Sequence, residues 1–275
     1  MRPGNGETLS PPGSESPTVW RVDAWQAIPG LRHGFLGRAH GLGPGTFDLA
    51  MIRGRLAAAG EETPAVLAAR QVHGADVLSP EDPAFAGLDW HDGPARLPAA
   101  DALVTASAGV LLTIRTADCV PVLLVAPAAR AVAAVHAGWR GTLDGVIEHA
   151  VAAMSARYGA RPATIAAAIG PAIGGCCYEF GVEHFAGFEA RYGPKARNAW
   201  TVPPPAATRE QPDATRGYLD VRVLAGLALA AAGLDRAAVH VVGPCTADSP
   251  ATLHSYRRDG ANAGRQLSYI GWRAD

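Results

Sequence analysis

The sequence predicts an α/β protein of mixed α+β type, in which layered mixed β-sheets carry helices on their outer faces within a single domain. The chain has 275 residues, 48% of them hydrophobic and 18% charged, which is enough apolar material for a core without disulfide bonds. Short apolar runs of strand length are interleaved with longer segments of helical periodicity. Because the two types do not alternate strictly, mixed sheets covered by helices are expected rather than one parallel sheet.

Eight short apolar runs are predicted to be strands. They are too short for helices, and the earlier ones are bounded by Gly, Pro, Asp or Ser. The predicted strands cover residues 102–105, 110–114, 120–125, 131–135, 164–169, 239–242, 253–257 and 267–272.

Two longer segments have the spacing of amphipathic helices. In residues 142–158 apolar side chains recur at helical intervals, and Asp144 and Glu148 lie in the first turns, where the helix dipole favours carboxylates. Residues 220–232 form a second predicted helix, which Gly233 ends. A further helix is expected after the glycine-rich segment 170–179.

Polar, proline-rich stretches define the domain limits. Residues 1–18 are predicted to be a disordered N-terminal arm, and residues 19–275 a single catalytic domain. Residues 202–217, with four prolines, are predicted to be a long surface loop within that domain.

Charge and cysteine content exclude several classes of partner. A net charge of −1 excludes a basic nucleic-acid surface, and no apolar stretch is long enough to span a bilayer. Four cysteines without the spacing of a disulfide framework favour a reducing cytoplasm. We expect a cytoplasmic monomer or small homo-oligomer that binds neither nucleic acid nor membrane.

Three residues of metal-ligand type each lie close to the end of an apolar run: His73, Cys119 and His136. Two imidazoles and a thiolate suit Zn²⁺, and three protein ligands leave a fourth position for water, as in catalytic zinc sites. Two alternatives stay open from the residues alone. The cysteine could be a small buried hydrophobe beside structural histidines, or Cys119 and His136 could form a nucleophile–base pair without metal.

The residues after His136 favour an anion site. Gly138 and Gly141 allow the main chain to approach a ligand, and Arg140 could bind phosphate with both guanidinium nitrogens. The alternative is a tight turn with an exposed arginine. Asp118 and Glu179 are candidate proton carriers or partners of the metal ligands.

Six motifs, in this order and spacing, resemble the YfiH-like family, whose members have been labelled laccase-domain proteins or polyphenol oxidases. The motifs are QVHG (71–74), DALVT (101–105), TADCVPVLL (116–124), VHAGWRGT (135–142), IGP with CYE (169–171 and 177–179) and SYRRDG (255–260). The resemblance implies the layered fold of that family and a zinc site made of His73, Cys119 and His136.

The resemblance also implies an activity. Family members are associated with zinc-dependent purine nucleoside phosphorylase activity on inosine, guanosine, adenosine and methylthioadenosine, and with adenosine deaminase activity. The partners would then be a purine nucleoside and phosphate, with Arg140 holding the phosphate. Copper is less suited, since nine scattered histidines with no His-x-His pair do not make a multicopper centre.

Two alternative functions remain open, and the chain departs from the family pattern in two places. The alternatives are a zinc or cysteine hydrolase that edits peptidoglycan precursor peptides and a non-enzymatic partner protein stabilised by zinc. Residues 46–55 stand where family members usually have an Asn-Leu and Gly-Asp-Asp stretch followed by an Asn-Arg pair. Ala172 and Gly175 stand where cysteine and proline are common.

Overall fold

A computed structural model describes residues 19–45, 47–61, 65–89, 93, 96–201 and 215–274. The predicted arm, residues 1–18, and most of the predicted loop, residues 202–214, lie outside the described residues. Two large mixed sheets pack face to face, and helices cover both outer faces, so the predicted mixed α/β class is confirmed.

The strands form three sheets. In spatial order, the five-stranded sheet contains β1 (Val19–Trp20), β2 (Leu31–Leu36), β14 (Gln266–Trp272), β6 (Val110–Thr116) and β3 (Ala65–Leu67). The six-stranded sheet contains β13 (Val239–Val241), β9 (Ala166–Ile169), β7 (Val120–Ala126), β8 (Ala131–Ala137), β5 (Ala102–Thr105) and β4 (Val77–Leu78). A small sheet contains β10 (Glu179–Gly181), β12 (Arg216–Leu219) and β11 (Trp200–Thr201). Both large sheets combine parallel and antiparallel pairs.

The α-helices are α1 (Leu49–Ala58), α2 (Trp139–Asp144), α3 (Val146–Tyr158), α4 (Val182–Tyr192), α5 (Val221–Ala231) and α6 (Tyr256–Asp259). Helix α1 covers the outer face of the five-stranded sheet, and helices α3 to α5 cover the outer face of the six-stranded one. None of the helices in the described ranges is both long and apolar enough to cross a bilayer.

Alternation along β7 shows how the layers are built. Val122 and Leu124 pack with the helices, whereas Leu123 and Val125 face the five-stranded sheet. Because both faces of this strand are covered, every one of its residues is buried. A continuous apolar run, rather than an alternating one, is the sequence pattern of such a strand.

Three differences from the predicted elements have local causes. The predicted helix 142–158 is two helices, since Gly145 adopts φ 91° and interrupts the chain between α2 and α3. The predicted strand 253–257 is wrong: the Ser255 side chain accepts a hydrogen bond from the Arg258 N–H (3.2 Å) and caps α6. Residues 216–217, predicted to be loop, begin β12.

The register of β7 and β8 prepares a site at one edge of the six-stranded sheet. The strands are antiparallel, with Val120 opposite Ala137 and Pro121 opposite His136. Cys119 directly precedes β7, and His136 lies near the end of β8. The start of one strand and the end of the next therefore deliver these two side chains to the same edge.

Candidate metal centre

The structure brings the three predicted metal ligands together. One ligand atom from each of His73, Cys119 and His136 lies within 4.8 Å of the other two, although the residues are far apart in the chain. The two imidazole rings meet edge to face, with their centroids 4.9 Å apart. His136 is buried, Cys119 is half-buried and His73 is exposed, so the cluster opens towards solvent on the His73 side.

Asp101 orients both histidines. Its carboxylate accepts a hydrogen bond from His136 Nδ1 (2.7 Å) and from the backbone N–H groups of Val72 (3.1 Å), His73 (3.0 Å) and Gly74 (2.8 Å). A proton held on Nδ1 leaves Nε2 of His136 as its ligand atom. The same carboxylate fixes the loop that carries His73, which adopts φ 62°, a left-handed conformation.

Electrostatics within the cluster favour a thiolate. Burial opposes ionisation of Cys119, but His136 and His73 more than compensate and lower its pKa to about 6. Burial likewise opposes protonation of His136, yet Cys119 and Asp101 raise its pKa to about 9. Without a metal, the pair therefore carries a thiolate and an imidazolium at neutral pH, and a cation would replace the imidazolium proton.

Glycines allow the close approach of the main chain. A Cβ on Gly138 would lie 2.9 Å from Cδ2 of His73 and 3.2 Å from the Cys119 sulfur. A Cβ on Gly141 would lie 2.6 Å from the carbonyl oxygen of Gly74. The first turn of α2 is thus packed against the side chains of His73 and Cys119. A side chain at either glycine position would push this turn away from them.

The cluster lies in the wall of a cavity of about 670 Å³. Four arginines line this cavity, and Asp118 is the one carboxylate among its lining residues in the described part of the chain. The arginines are Arg115, Arg140, Arg257 and Arg265. Aromatic groups are supplied by Phe47, Trp139, Tyr178 and Tyr256. The cavity therefore combines ring surfaces with an excess of positive charge, which suits an anionic or aromatic ligand.

The structure places the predicted Arg140 and Asp118 in this cavity. Arg140 is exposed and its guanidinium stacks 4.6 Å above the Trp139 ring. Both carboxylate oxygens of Asp118 are engaged, one by the Thr246 hydroxyl (2.5 Å) and one by the backbone N–H of Arg257 (2.6 Å). Asp118, next to Cys119, therefore fixes the first turn of α6 and Thr246 to this edge of the sheet, which is a positioning role.

Glu179 does not lie with the others. Its side chain forms an ion pair with Arg216 (3.1 Å) across β10 and β12, and it is absent from the described lining of the cavity. Only its backbone carbonyl reaches towards the site, by accepting a hydrogen bond from Arg257 (3.2 Å).

Two residues of the site were missed in the sequence. Asp101 occurs only as the first letter of a motif, and Arg115 is the last residue but one of β6, which extends beyond the predicted 110–114. In both cases the signal was available: a charged residue within or directly beside a fully buried strand requires a specific partner.

Comparisons with known proteins show which family and which curated proteins the chain is similar to. A family model described as "multi-copper polyphenol oxidoreductase laccase" matches residues 48–273. The purine nucleoside phosphorylase YlmD of Geobacillus stearothermophilus is 36% identical over 207 residues, covering 74% of this chain and 71% of that protein. An adenosine deaminase designated RL5, from an unknown prokaryotic organism, is 36% identical over 201 residues, covering 73% of this chain and 72% of that protein.

Solved structures confirm the architecture. The crystal structure of Geobacillus stearothermophilus YlmD superposes with a TM-score of 0.76 at 32% identity, covering 90% of this chain and 93% of that one. The Bacillus licheniformis protein YfiH also gives a TM-score of 0.76, at 22% identity, covering 94% and 98%, and so shares the fold. The chain belongs to the YfiH-like family of laccase-domain proteins, as its motifs indicated.

Proposed function

We propose that this protein is a zinc-dependent purine nucleoside phosphorylase. The observation that carries the proposal is the placement of the His73, Cys119 and His136 cluster in the wall of a cavity lined by four arginines. Phosphorolysis cleaves a neutral nucleoside with a phosphate anion, and the cavity offers ring surfaces for the nucleoside and positive charge for the phosphate. The relative YlmD carries this activity in its name.

The donor set fits zinc. Two imidazole nitrogens and a sulfur whose pKa is lowered to about 6 are ligands that zinc binds in catalytic sites, where three protein ligands are usual. When bound, zinc would supply a Lewis acid that polarises the substrate. One cluster of two histidines and one cysteine does not supply the many imidazoles of a multicopper centre, in spite of the description of the family model.

The chain's own residues would act by binding and orientation. Tyr256, an exposed ring in the cavity wall, offers a face for the purine, and arginines of the wall hold phosphate against the sugar. A phosphate oxygen would then bond to the anomeric carbon while the glycosidic C–N bond breaks, and the departing purine takes up the proton that the hydrogen phosphate gives up. Positioning and charge stabilisation carry most of the rate in such a reaction. Adenosine deamination, the activity in the name of RL5, is proposed as a second reaction of the same cavity.

Turnover with and without phosphate tests the proposal. Zinc-loaded protein is incubated with inosine or adenosine, and free base, ribose 1-phosphate and ammonia are measured. We expect free base and ribose 1-phosphate in equal amounts, only when phosphate is present. His136→Ala should abolish turnover, whereas His149→Ala, at an exposed histidine of α3, should not. Equal release of base without phosphate would replace phosphorolysis by hydrolysis.

One observation favours a second candidate function. The thiolate and imidazolium of Cys119 and His136 are also the ionic forms of a cysteine nucleophile and its base, as in a hydrolase acting on peptide precursors of the cell wall. Such an enzyme would keep its activity in the presence of a chelator and lose it on alkylation of Cys119. A zinc-dependent phosphorylase would lose activity under both treatments.

A further inference from the structure

Arg115 is an unusual member of the cavity wall, because its charge is buried. The residue is only 6% exposed, near the end of β6. One guanidinium nitrogen, Nη2, donates to the carbonyl oxygen of Ala69 (2.7 Å), and the guanidinium plane lies 3.8 Å above the ring of Phe47. The other terminal nitrogen, Nη1, is buried without a hydrogen-bond partner in the described ranges. A buried donor of a charged group without a partner is costly, so this nitrogen requires an acceptor.

No protein carboxylate meets that requirement in the described wall. Thr246 and Arg257 engage both oxygens of Asp118. Asp101 already accepts four hydrogen bonds, from His136 and from the backbone N–H groups of residues 72–74. Burial and the neighbouring cation Arg265 lower the pKa of Arg115 to about 9, and the attraction of the Asp101 carboxylate only partly opposes them. Two guanidinium groups facing one cavity repel each other unless an anion lies between them.

The position of Arg115 is tied to the metal cluster. The side-chain amide of Gln71 accepts a hydrogen bond from the Arg115 N–H (2.9 Å) and donates one to the Arg115 carbonyl oxygen (2.7 Å). Gln71 lies two residues before His73. An anion bound by Arg115 is therefore held in fixed register with the metal ligands.

We infer that Arg115 and Arg265 form the phosphate subsite of the cavity, with Arg115 Nη1 as its buried donor. The geometry indicates an oxyanion as the ligand, and its identification as phosphate rests on the proposed function. The sequence pointed to Arg140 instead, but Arg140 is exposed and stacks on Trp139 at the cavity wall. The buried guanidinium is the stronger ligand, because a desolvated charge attracts an anion with less screening.

Titration of inorganic phosphate into the zinc-loaded protein, followed by calorimetry at constant chloride, tests the subsite. Arg115→Met keeps an apolar side chain over Phe47 and removes the donor, so the Kd for phosphate should rise about 10- to 100-fold, as for loss of one charged hydrogen bond. Arg140→Met tests the rival position at the cavity wall and should raise Kd less than about threefold if Arg115 is the ligand, and Arg236→Met, at an exposed arginine that does not line the cavity, is the control that should leave Kd unchanged. Arg265→Met, at a half-buried residue, should also weaken binding and decides the matter if Arg115→Met does not fold.

The outcomes separate this inference from the proposed function. If wild-type protein binds phosphate, Arg115→Met does not, and neither converts inosine, the subsite stands and phosphorolysis fails. If wild-type protein phosphorolyses inosine while Arg115→Met keeps its Kd and KM for phosphate, the function stands and the subsite is overturned. Loss of phosphate binding in Arg140→Met alone would assign the subsite to the cavity rim.

A different observation concerns the cysteines outside the cavity. Potential ligand atoms of Cys176, Cys177, Cys245 and Asp248 all lie within 4.8 Å of one another. The Cys177 thiol donates to the Asp248 carboxylate (3.0 Å), and the Gly174 N–H donates to the Cys245 sulfur (3.3 Å). Three sulfurs and a carboxylate oxygen are thus gathered from a turn and from a segment about seventy residues further on.

We propose that this thiol cluster is a second metal site, for a thiophilic cation of the zinc class. Four protein ligands, three of them sulfur, give the closed tetrahedral set of structural zinc sites, unlike the three-ligand set of the cavity. Zinc–sulfur bonds of about 2.3 Å separate tetrahedral sulfurs by roughly 3.8 Å, within the observed spread of positions. The Gly174 N–H would orient the Cys245 ligand.

The cluster joins segments that shape the cavity. Cys177 and Tyr178 donate their backbone N–H groups to the Gly174 carbonyl, and Ala172 pairs with Cys245 in a β-bridge. Tyr178 lines the cavity, and Thr246, next to Cys245, bonds Asp118. A metal ion here would fasten the cavity wall without touching substrate.

Metal content tests the second site. Protein loaded with zinc under reducing conditions and then desalted should contain two zinc ions per chain by elemental analysis. Cys245→Ser and His136→Ala should each contain one, and His149→Ala should keep two. If Cys245→Ser does not fold, Cys176→Ser, at an exposed position, should show the same loss. One zinc in the wild type and in Cys245→Ser, or a disulfide within the cluster in freshly purified protein, would overturn the proposal.

Discussion

Asp101→Asn is expected to weaken zinc binding and the fold together. The carboxylate is 1% exposed and accepts four hydrogen bonds, two at each oxygen: His136 Nδ1 and the His73 N–H at one, the Val72 and Gly74 N–H groups at the other. An amide can accept with only one of its two terminal atoms. Whichever way it is turned, its NH₂ faces two donors that lose their acceptor.

The size of the effect follows from this count. Each buried donor left without a partner costs about 1–3 kcal/mol, so the free energy of unfolding should fall by about 2–6 kcal/mol. Loss of a carboxylate partner of a metal-bound histidine typically costs 10- to 100-fold in metal affinity, and here the carboxylate supports two ligands. We therefore expect the Kd for zinc to rise by at least about 100-fold.

Competition with a chelator of known affinity measures the zinc Kd, and urea unfolding at pH 7 measures stability. Asp235→Asn is the matched control, because Asp235 is exposed and caps a short helical turn by accepting a single backbone N–H (2.9 Å). It should leave zinc affinity unchanged. If Asp101→Asn binds zinc within threefold of the wild type, Asp101 does not organise the cluster as described.

Four further changes have expected outcomes. Gly138→Ala should raise the zinc Kd at least about tenfold, because its methyl group would be forced against His73 and Cys119. Gly226→Ala is the control: the position has open space around it, and the change should only stabilise its helix by about 0.5–1 kcal/mol. In metal-free protein at pH 7, iodoacetamide should modify Cys119 before Cys176, because the pKa of Cys119 is lowered to about 6 and that of Cys176 is raised to about 12. The rate of Cys119 alkylation should fall as the pH drops below 6. Mass spectrometry of the adducts measures both. Burial lowers the pKa of His33 from 6.5 to about 4, so between these pH values the unfolded chain binds a proton at His33 and the folded protein does not. The free energy of unfolding, measured with urea, should therefore fall by about 3 kcal/mol as the pH is lowered from 6.5 to 4. His33→Phe should show a smaller fall. Chelation of zinc should abolish activity and leave the far-ultraviolet circular dichroism unchanged at 25 °C, because the apolar core does not depend on either metal site; unfolding by chelator would show that the fold requires metal.

The strands of the six-stranded sheet were predictable because both of their faces are buried. Residues 102–104, 120–125 and 131–135 are apolar without interruption, and they lie in strands in the structure. Helix α1 could not be predicted in this way, since its residues show little amphipathic order, and it begins where the Asp48 side chain accepts the Met51 N–H (2.6 Å). The wrong strand at 253–257 has the same cause, a serine cap that outweighs the local apolar pattern.

Position in the chain predicted which residues lie near the site, but the direction in which each side chain points could not be predicted. Cys119 and His136 adjoin predicted strands that pair, so their meeting follows from topology. Glu179 lies beside the same loops, yet its carboxylate points to Arg216 across the small sheet, a pairing that depends on β12 and could not be read from the residues. The roles of Asp101 and Arg115 likewise could not be predicted, because they depend on hydrogen bonds to segments distant in sequence.

The distribution of the core favours a catalytic over a structural role for a metal bound by His73, Cys119 and His136. The three apolar clusters hold the layers together: sheet against sheet, and a helical layer on each outer face. Cys119 belongs to none of them, although Cys245 does. A structural zinc is closed by four protein ligands, as proposed above for the thiol cluster. Here three ligands face a cavity of about 670 Å³ at the edge of a core that is complete without them, which is the arrangement expected where the metal meets a substrate.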